Sequence, residues 1–531
     1  MSPLTLSLHL LSPPSMITSL LFILFLLLLL HHAITPYFSK KLSCPPPSPR
    51  GLPILGNLHQ LGPLPHRTLH GMSLRHGPLL LLKLGHVPAL IASSVDTARE
   101  VLKTQDNLFA SRPSLKVPAT LFYDNKDIAF APYGDYWRQV KKLSVLHLMS
   151  SKMVDSFKLI REQEVALLVA AIARASASRS TVNMSELFAS LSKHIISRVI
   201  VGKPSREEEW DSVLHLMIQE CSLMLGSFHV GDYFPALSWA GKLTGLDAKL
   251  KTTMATASDI LEAIIEQRLA RSRDHGDHHD REPECFVDVL LSAVKDNTMG
   301  VSFGKENIKA IVTLYNARPG HHTIVLLWQQ DLFGAGTDST YIVMEWTMAE
   351  LVRNPKAMKK LKEEIRGIVG SNPTVSEEDL ASMPYLKAVI KETLRLHPPG
   401  PLLVPRELMQ DTKMQGYDIP KKTRVFVNVW AIGRDPGVWE DPEEFKPERF
   451  FGNSIDFKGQ DYELLPFGGG RRVCPGIGFA VVVLELALAN VVHRFDWELP
   501  NEKRGEELDM DEVFGQTVRR KNSLQLVAKP C

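Results

Sequence analysis

The stretch "LPFGGGRRVCPGIGFAVVVLELALANVV", from Leu465 to Val492, places a single cysteine between a glycine-rich loop and a long apolar run. The run from Gly476 to Val492 is rich in helix-compatible residues, and Pro475 suits the first turn of a helix. Cys474 therefore lies just before a predicted helix N-terminus, where free N–H groups and the helix dipole favour an anion. The two arginines before it act in the same direction, so the sequence predicts a thiolate.

This stretch alone leaves several chemistries open. A phosphate-binding loop needs Lys-Ser or Lys-Thr after its glycines, and neither follows Gly470. A nucleophilic cysteine needs a histidine base, and the sequence shows no such pairing. A thiolate ligand to a haem iron needs one axial sulfur in an accommodating loop. A buried structural cysteine before a core helix is the remaining interpretation.

A resemblance to a known family favours one of these interpretations. Phe467, Gly470, Arg472, Cys474 and Gly476 have the order and spacing of the haem-binding signature of cytochrome P450 enzymes. The resemblance implies the P450 fold, which is mainly α with a small β-sheet region, and haem b as the cofactor. It also implies that Cys474 supplies the axial thiolate to the iron, with Phe467, Arg472 and Gly476 around the cofactor.

Composition excludes several other classes of protein. A net charge of +2 over 531 residues argues against nucleic acid as a partner. The five cysteines are scattered, odd in number and form no Cys-x-x-Cys pair. This usage disfavours a disulfide scaffold, a structural zinc or an iron–sulfur cluster, and it fits a reducing compartment.

The N-terminus differs in composition from the rest of the chain. The segment from Met16 to Ile34 is almost uncharged and long enough to cross a bilayer, and Lys40 and Lys41 follow it. The positive-inside rule then places the following domain in the cytosol. We predict a signal-anchor at 1–38, a proline-rich hinge at 39–57 and one catalytic domain at 58–531. The resemblance to microsomal P450s implies a single-pass protein of the endoplasmic reticulum membrane.

Periodicity outlines the elements of the catalytic domain. The segment "PLLLLKLGHVPALIAS", from Pro78 to Ser93, reads as two strands with Gly85 in the turn. Helical periodicity dominates the rest of the chain, for example in "AMKKLKEEIRGIV" and "YLKAVIKETLRL". The sequence therefore predicts a mainly helical domain with a small sheet near its start.

A charged pair lies in the segment "KETLRLHPPGP". Glu392 and Arg395 are three residues apart on a predicted helix, and a helical projection puts them away from the apolar stripe, as in a surface salt bridge. The resemblance implies the opposite, because Glu-x-x-Arg is similar to the family's buried ion-pair motif. Its third member corresponds to Arg449, and the triad is expected to brace the cysteine loop.

The string "AGTDST" within "DLFGAGTDSTYIVMEW" resembles the family's oxygen-activating motif. Small and hydroxyl residues are poor choices inside a helix, so the sequence predicts either a local break or a capping loop here. The resemblance implies three catalytic residues: Asp338 relays protons, Ser339 supplies the hydroxyl usually provided by threonine, and Thr340 completes the string. This departure from threonine puts the coupling of oxygen use to product in question, since serine is less restricted in rotamer.

Further roles follow from the resemblance alone. Trp137, Lys141, Arg406 and Arg472 match positions that contact the haem propionates, with lysine where arginine is common. The substrate pocket is expected to draw on the loop from Phe109 to Asp127 and on four further residues, which are Ala335, Leu403, Val404 and Phe514.

The whole chain is similar to plant microsomal P450s of the 71 clan, and to 71A-like members in particular. The resemblance implies a monooxygenase that uses O2 and electrons from NADPH-cytochrome P450 reductase. It also implies small, apolar specialised metabolites as substrates, of the terpenoid, phenolic or coumarin, or aldoxime classes. Two alternatives are a thiolate-haem dehydratase or isomerase that needs no reductase, and an inactive membrane-anchored variant.

One segment departs from the family pattern. Residues 313–330, "TLYNARPGHHTIVLLWQQ", separate two segments that form one continuous helix in the relatives. Because Pro319 cannot continue a helix, we expect this segment to loop out or to be absent from the active protein, as retained intron sequence.

Overall fold

The structure, a computed structural model, describes residues 18–26, 42–122, 124–202, 220–221, 224–256, 259, 285–289, 323–515 and 517–531. Helices dominate these ranges. In chain order they are α1 (Pro65–His76), α2 (Val95–Arg99), α3 (Lys116–Leu121), α4 (Asp135–Leu143), α5 (Ser151–Ser156), α6 (Lys158–Ala177), α7 (Met184–Val201), α8 (Ala240–Leu243), α9 (Thr323–Arg353), α10 (Pro355–Val369), α11 (Pro384–Leu396), α12 (Val429–Ile432) and α13 (Ile477–Arg494). The predicted mainly helical architecture is confirmed.

Short strands form small separate sheets. The strands are β1 (Leu79–Leu84), β2 (Val87–Ala92), β3 (Val182–Asn183), β4 (Arg406–Glu407), β5 (Thr412–Met414), β6 (Tyr417–Ile419), β7 (Arg424–Val427), β8 (Phe495–Glu498), β9 (Glu512–Val513), β10 (Arg519–Arg520) and β11 (Gln525–Pro530). The largest sheet has the order β1-β2-β7-β4, in which only the β2–β7 pair is parallel. A second sheet has the order β3-β11-β8, and β9 pairs with β10 and β5 with β6.

The predicted hairpin from Pro78 to Ser93 is confirmed. Leu84 pairs with Val87, so two residues make the turn between β1 and β2. Gly85 has φ +61°, and a Cβ there would lie 2.6 Å from the carbonyl oxygen of Tyr233. Only glycine meets both demands, because other residues rarely adopt this conformation and none fits the space.

The core lies where the long helices cross. Helix α9 packs against α7, α11 and α13, and α6 packs against α7 and α13. Among the described residues, α13 is long and apolar enough to cross a membrane, but most of it is buried in the protein. Its composition therefore reflects contact with neighbouring helices on most of its sides, as in a core helix.

Two predicted segments are described only in part. Of the predicted anchor, residues 18–26 are helical and expose apolar side chains, with Leu20 and Phe22 at 71% and 61% exposure, and the rest lies outside the described residues. Of the segment 313–330, residues 313–322 also lie outside them. Helix α9 begins at Thr323, so residues 323–330 are helical. The expectation that the whole segment loops out is wrong for these residues. Its sequence after residue 322, "TIVLLWQQ", contains no proline or glycine to end a helix.

Candidate haem-thiolate site

The cysteine loop is a tight turn that leads into α13. The backbone N–H of Cys474 donates to the carbonyl of Phe467 at 3.0 Å, and Gly476 is the N-cap of the helix. Gly470 has φ +63°, and a Cβ there would lie 2.2 Å from the Leu102 carbonyl oxygen. The predicted helix start after Pro475 is confirmed, and the glycine allows the loop to contact the segment after α2 directly.

The thiol environment differs from the sequence-based expectation of a thiolate. Burial raises the pKa of Cys474 above its usual value, and the Gly476 N–H and the Lys141 charge offset only part of the rise. Arg471 and Arg472 do not add to this offset of the Cys474 pKa, because Arg471 pairs with Asp106 at 3.0 Å and Arg472 donates to backbone carbonyls. The Cys474 side chain is nevertheless accessible. A sulfur that is accessible although protein atoms surround it is suited to bind a metal ion, and coordination to the cation removes the thiol proton.

A cluster of buried cations adjoins this loop. Arg406 donates to Asp106 at 2.9 Å and to the Gly469 carbonyl at 2.8 Å. Burial and the charge of Arg406 lower the pKa of Arg472 to about 9. Burial and the charge of Arg472 likewise lower the pKa of Lys141. These predicted residues are therefore brought together, in a region where positive charges repel one another.

Arg112 belongs to the same cluster, whereas the sequence indicated it only as part of the predicted pocket loop from Phe109 to Asp127. It is 7% exposed and donates to the carbonyls of Ala129 at 2.8 Å and Val404 at 2.6 Å. Burial, then Arg472 and Arg406, lower its pKa well below the usual value. An arginine shortly after the apolar residues of "NLFASRPS" was the signal that could have found it.

The charge balance tests whether haem fits. Three arginines and a lysine lie in the cluster, and Asp106 and Asp127 offset part of their charge. The remaining positive charge suits a dianionic group, and haem carries two propionates. Together with the accessible sulfur, the residues of this site fit a haem with Cys474 as the axial ligand.

Trp137 supports the cation cluster through its ring. The indole N–H donates to the Ile128 carbonyl at 3.0 Å, so this donor already has a protein acceptor. The Arg472 guanidinium lies 3.9 Å from the ring centroid, and the Lys141 ammonium lies 5.3 Å from it. These contacts hold both cations in place by cation–π attraction.

The string "AGTDST" lies within α9, which continues without the predicted break or capping loop. The Ser339 hydroxyl donates to the Ala335 carbonyl at 2.6 Å, and the Thr340 hydroxyl donates to the Gly336 carbonyl at 2.9 Å. These bonds to the preceding turn satisfy hydroxyls that would otherwise compete with the helix, which is why the helix persists. A Cβ on Gly336 would lie 2.7 Å from Ile196, so α7 packs closely against α9 here. Asp338 lies one turn from Tyr341, and burial and the Asp338 charge raise the pKa of Tyr341 to about 12.

Glu392, Arg395 and Arg449 form a buried triad. Arg395 donates to both oxygens of Glu392, at 2.8 Å and 2.7 Å, and Arg449 donates to the same carboxylate at 2.9 Å. Glu392 and Arg395 are 0% and 1% exposed, so the surface salt bridge suggested by the helical projection is wrong. The segment from 433 to 450 covers the second face of α11, and Arg395 donates to the carbonyls of Gly433 and Glu444 within it.

The predicted pocket residues fall in two places. Leu403 lies beside the cysteine loop, with its Cδ1 3.5 Å from where a Cβ on Gly468 would be, and the Val404 carbonyl accepts from Arg112. Ala335 is exposed on α9. Phe514 follows β9 and stacks on His66 of α1. In the predicted loop from Phe109 to Asp127, both end residues are fully buried.

Comparisons with known proteins agree with this geometry. The cytochrome P450 family model matches residues 46–526. Cytochrome P450 71A1 of Persea americana is 48% identical over 89% of this chain and 91% of its own length. The phenylacetaldehyde oxime monooxygenase of Prunus mume is 44% identical over 93% of this chain and 90% of its own.

The fold is also similar to solved structures. A zebrafish cytochrome P450 structure with progesterone matches with a TM-score of 0.71 and 25% identity, covering 88% of this chain and 99% of that one. P450 enzymes hold haem through a cysteine thiolate, which is the role that the position of Cys474 fits. The family match, the plant relatives and the site agree, and this chain belongs to the cytochrome P450 family, whose members are haem-thiolate oxidoreductases that incorporate oxygen.

Proposed function

We propose that this chain is a plant monooxygenase that oxidises small, apolar specialised metabolites with electrons from NADPH-cytochrome P450 reductase. The observation that carries the proposal is the accessible Cys474 sulfur in a loop that adjoins a buried cluster of cations. When bound, haem supplies the one-electron and oxygen chemistry, and the protein supplies binding, orientation and protons.

Asp338 and Ser339 are the residues that we assign to proton delivery. Both are partly exposed on a continuous helix, so each is reachable from open space while its backbone stays fixed. The Ser339 hydroxyl donates to the Ala335 carbonyl, which leaves its oxygen able to accept a hydrogen bond from a water molecule or from the Asp338 carboxyl group when that group carries a proton. Thr340 is buried, and its role is to stabilise the helix turn.

The substrate class rests on the apolar pocket residues and on one relative. Ala335, Leu403, Val404 and Phe514 offer apolar contacts and no charged group that would bind an ionic substrate. A relative that is 44% identical is named as an oxime monooxygenase. We therefore place aldoximes, phenolics including coumarins, and terpenoids first among the compounds to test.

The test measures turnover of the purified full chain with and without the reductase. Compounds that shift the haem spectrum are incubated with NADPH, reductase and isotopically labelled O2. We expect product that carries one labelled oxygen atom, and none when the reductase or NADPH is omitted. Product formation without the reductase would identify a dehydratase or isomerase instead, and protein that retains no haem would identify an inactive variant.

A variant that lacks residues 313–329 is measured in the same assay as the full chain. We propose that these residues are an addition to the family's helix and that the active protein lacks most of them. Residues 323–329 form the first turns of α9, shortly before Asp338, where positioning errors of about 1 Å can cost roughly a hundredfold in rate. We therefore expect the shortened protein to retain more haem and to turn over faster. Equal haem content and equal rates would contradict this account of the segment.

We also propose that the chain is anchored in the endoplasmic reticulum membrane by residues 1–38, with the catalytic domain in the cytosol. The uncharged segment before Lys40 and Lys41 supports this orientation. Protease added outside intact microsomes should digest the catalytic domain. Protection of the domain would show the reverse orientation, as would a glycan on Asn183, whose side chain caps α7.

A further inference from the structure

A buried ion pair connects α1 to the C-terminal part of the chain. His66, in the first turn of α1, is 0% exposed, and its Nε2 lies 2.9 Å from Oε1 of Glu512. The Arg67 side chain donates to the same oxygen. The Glu512 side chain is 4% exposed; burial alone would raise its pKa, but the bonds from His66 and Arg67 lower it to about 2. Glu512 is therefore a charged carboxylate held inside the protein by two donors from α1.

This ion pair joins α1 to the segment that carries Phe514. Glu512 lies on β9, whose pairing with β10 extends over two residues, and so short a ladder is weak by itself. Phe514 follows directly, is 37% exposed, and stacks on the His66 imidazole with ring centroids 6.0 Å apart and an interplanar angle of 22°. One imidazole therefore contacts both the carboxylate and the phenyl ring of this segment.

His66 also adjoins a second segment with predicted pocket residues, the one that carries Leu403 and Val404. The Trp430 ring packs edge-on against His66 at 5.4 Å, and the Asn428 side chain donates to the His66 carbonyl at 2.9 Å. The backbone N–H of Trp430 donates to the Pro401 carbonyl, just before Leu403 and Val404. The segments that carry Phe514 and Leu403 are thus joined through the surroundings of His66.

Packing alone does not explain a histidine at this position. Its Nδ1 is buried and has no hydrogen-bond partner among the described residues, which costs free energy. A phenylalanine would fill a similar volume without that cost. The feature that only histidine supplies here is the bond from Nε2 to Glu512.

We propose that His66 is a specificity-determining residue, which acts by positioning Phe514 through the bond to Glu512. Through Phe514 it sets the size of ligand that the pocket accepts, although it lies on α1 and outside the haem-binding residues. The inference rests on the proposed function, because it takes Phe514 as part of the substrate pocket.

The test compares two haem ligands in the full-length holoenzyme. Imidazole reports access to the iron, and 4-phenylimidazole also reports the space above it. We expect His66→Phe and Glu512→Gln each to change the ratio of the two dissociation constants by roughly fivefold, a usual size for an indirect effect. In a Phe514→Ala background, His66→Phe should change the ratio no further, because the ring that it positions is gone.

The matched control is His493→Phe. His493 is also buried, with Nε2 2.9 Å from the Asn372 carbonyl oxygen and Nδ1 without a partner in the described part of the chain. It lies near the end of α13, away from both pocket segments. The proposal is overturned if His66→Phe changes the ratio no more than His493→Phe does, or if its effect persists in the Phe514→Ala background. Where His66→Phe yields no holoenzyme, Glu512→Gln decides by the same comparison.

Different results would contradict the proposed function and the role of His66. A protein without the thiolate-haem spectrum, or without reductase-dependent turnover, contradicts the proposed function. A protein with normal spectrum and turnover, in which these variants leave the ratio unchanged, contradicts only the role of His66.

Discussion

We expect Cys474→Ser to abolish the red-shifted Soret band of the reduced, carbon monoxide-treated protein. The band requires a thiolate ligand to the haem iron, and a serine hydroxyl would keep its proton and could not replace that ligand. The loop should survive the change, because the residue is held by its backbone bond to the Phe467 carbonyl. Absorbance difference spectra of equal amounts of solubilised protein measure the loss, which should be complete.

Cys221→Ser is the matched control for this change. Burial and then Glu220 raise the pKa of Cys221 to about 11, so it is a thiol that stays protonated. It packs against the hydrophobic core rather than the glycine loop. The variant should keep the full band. Loss of the band in this variant, together with its survival in Cys474→Ser, would show that Cys221 and not Cys474 is the ligand.

Glu392→Ala should prevent the accumulation of folded, haem-containing protein. The change removes the carboxylate that accepts from Arg395, Arg449 and the Lys446 N–H, and it leaves the Arg395 charge buried. Removing one partner of a buried pair costs about 3–5 kcal/mol, against a total stability of about 5–15 kcal/mol for a native domain. The carbon monoxide band per milligram of total protein and the apparent melting temperature measure the effect.

An exposed Glu–Lys pair is the control for Glu392→Ala. Glu363 lies 3.8 Å from Lys359 on α10, and these side chains are 64% and 78% exposed. Glu363→Ala should change stability by less than about 0.5 kcal/mol, because water screens the pair. Equal behaviour of the two alanine variants would show that the triad contributes no more than a surface pair.

Local pattern was enough to predict the hairpin around Gly85 and the start of α13 after Pro475. Both depend on neighbouring residues: a turn that needs a positive φ, and a proline that suits a helix entry. The burial of Glu392 could not be derived in this way. A helical projection shows one apolar stripe, but it does not show that residues 433–450, far along the chain, cover the opposite face.

Other differences also arise from distant contacts. Small and hydroxyl residues in "AGTDST" suggested a break, but Ser339 and Thr340 bond within α9, and close packing on Ile196 accounts for Gly336. The thiolate expectation considered the helix dipole and the charges near Cys474. Protein atoms from other elements raise the pKa of the free Cys474 thiol despite these charges, so the thiolate form depends on coordination to the haem iron. The place of Arg112 in the cation cluster was missed because its partners come from loops remote in sequence.

The order of strands in the two main sheets has a consequence for synthesis on the ribosome. Ala89 of β2 pairs with Arg424 of β7, and Val182 of β3 pairs with Leu526 of β11. At about 5–20 residues per second, translation leaves the apolar edge of β2 without its partner for on the order of tens of seconds. Because β11 lies between β3 and β8, a nascent chain that stops before Gln525 leaves both of those strands unpaired. The second sheet therefore closes only after Gln525–Pro530 has left the ribosome, and we expect a chain that stops before this strand to be prone to aggregation.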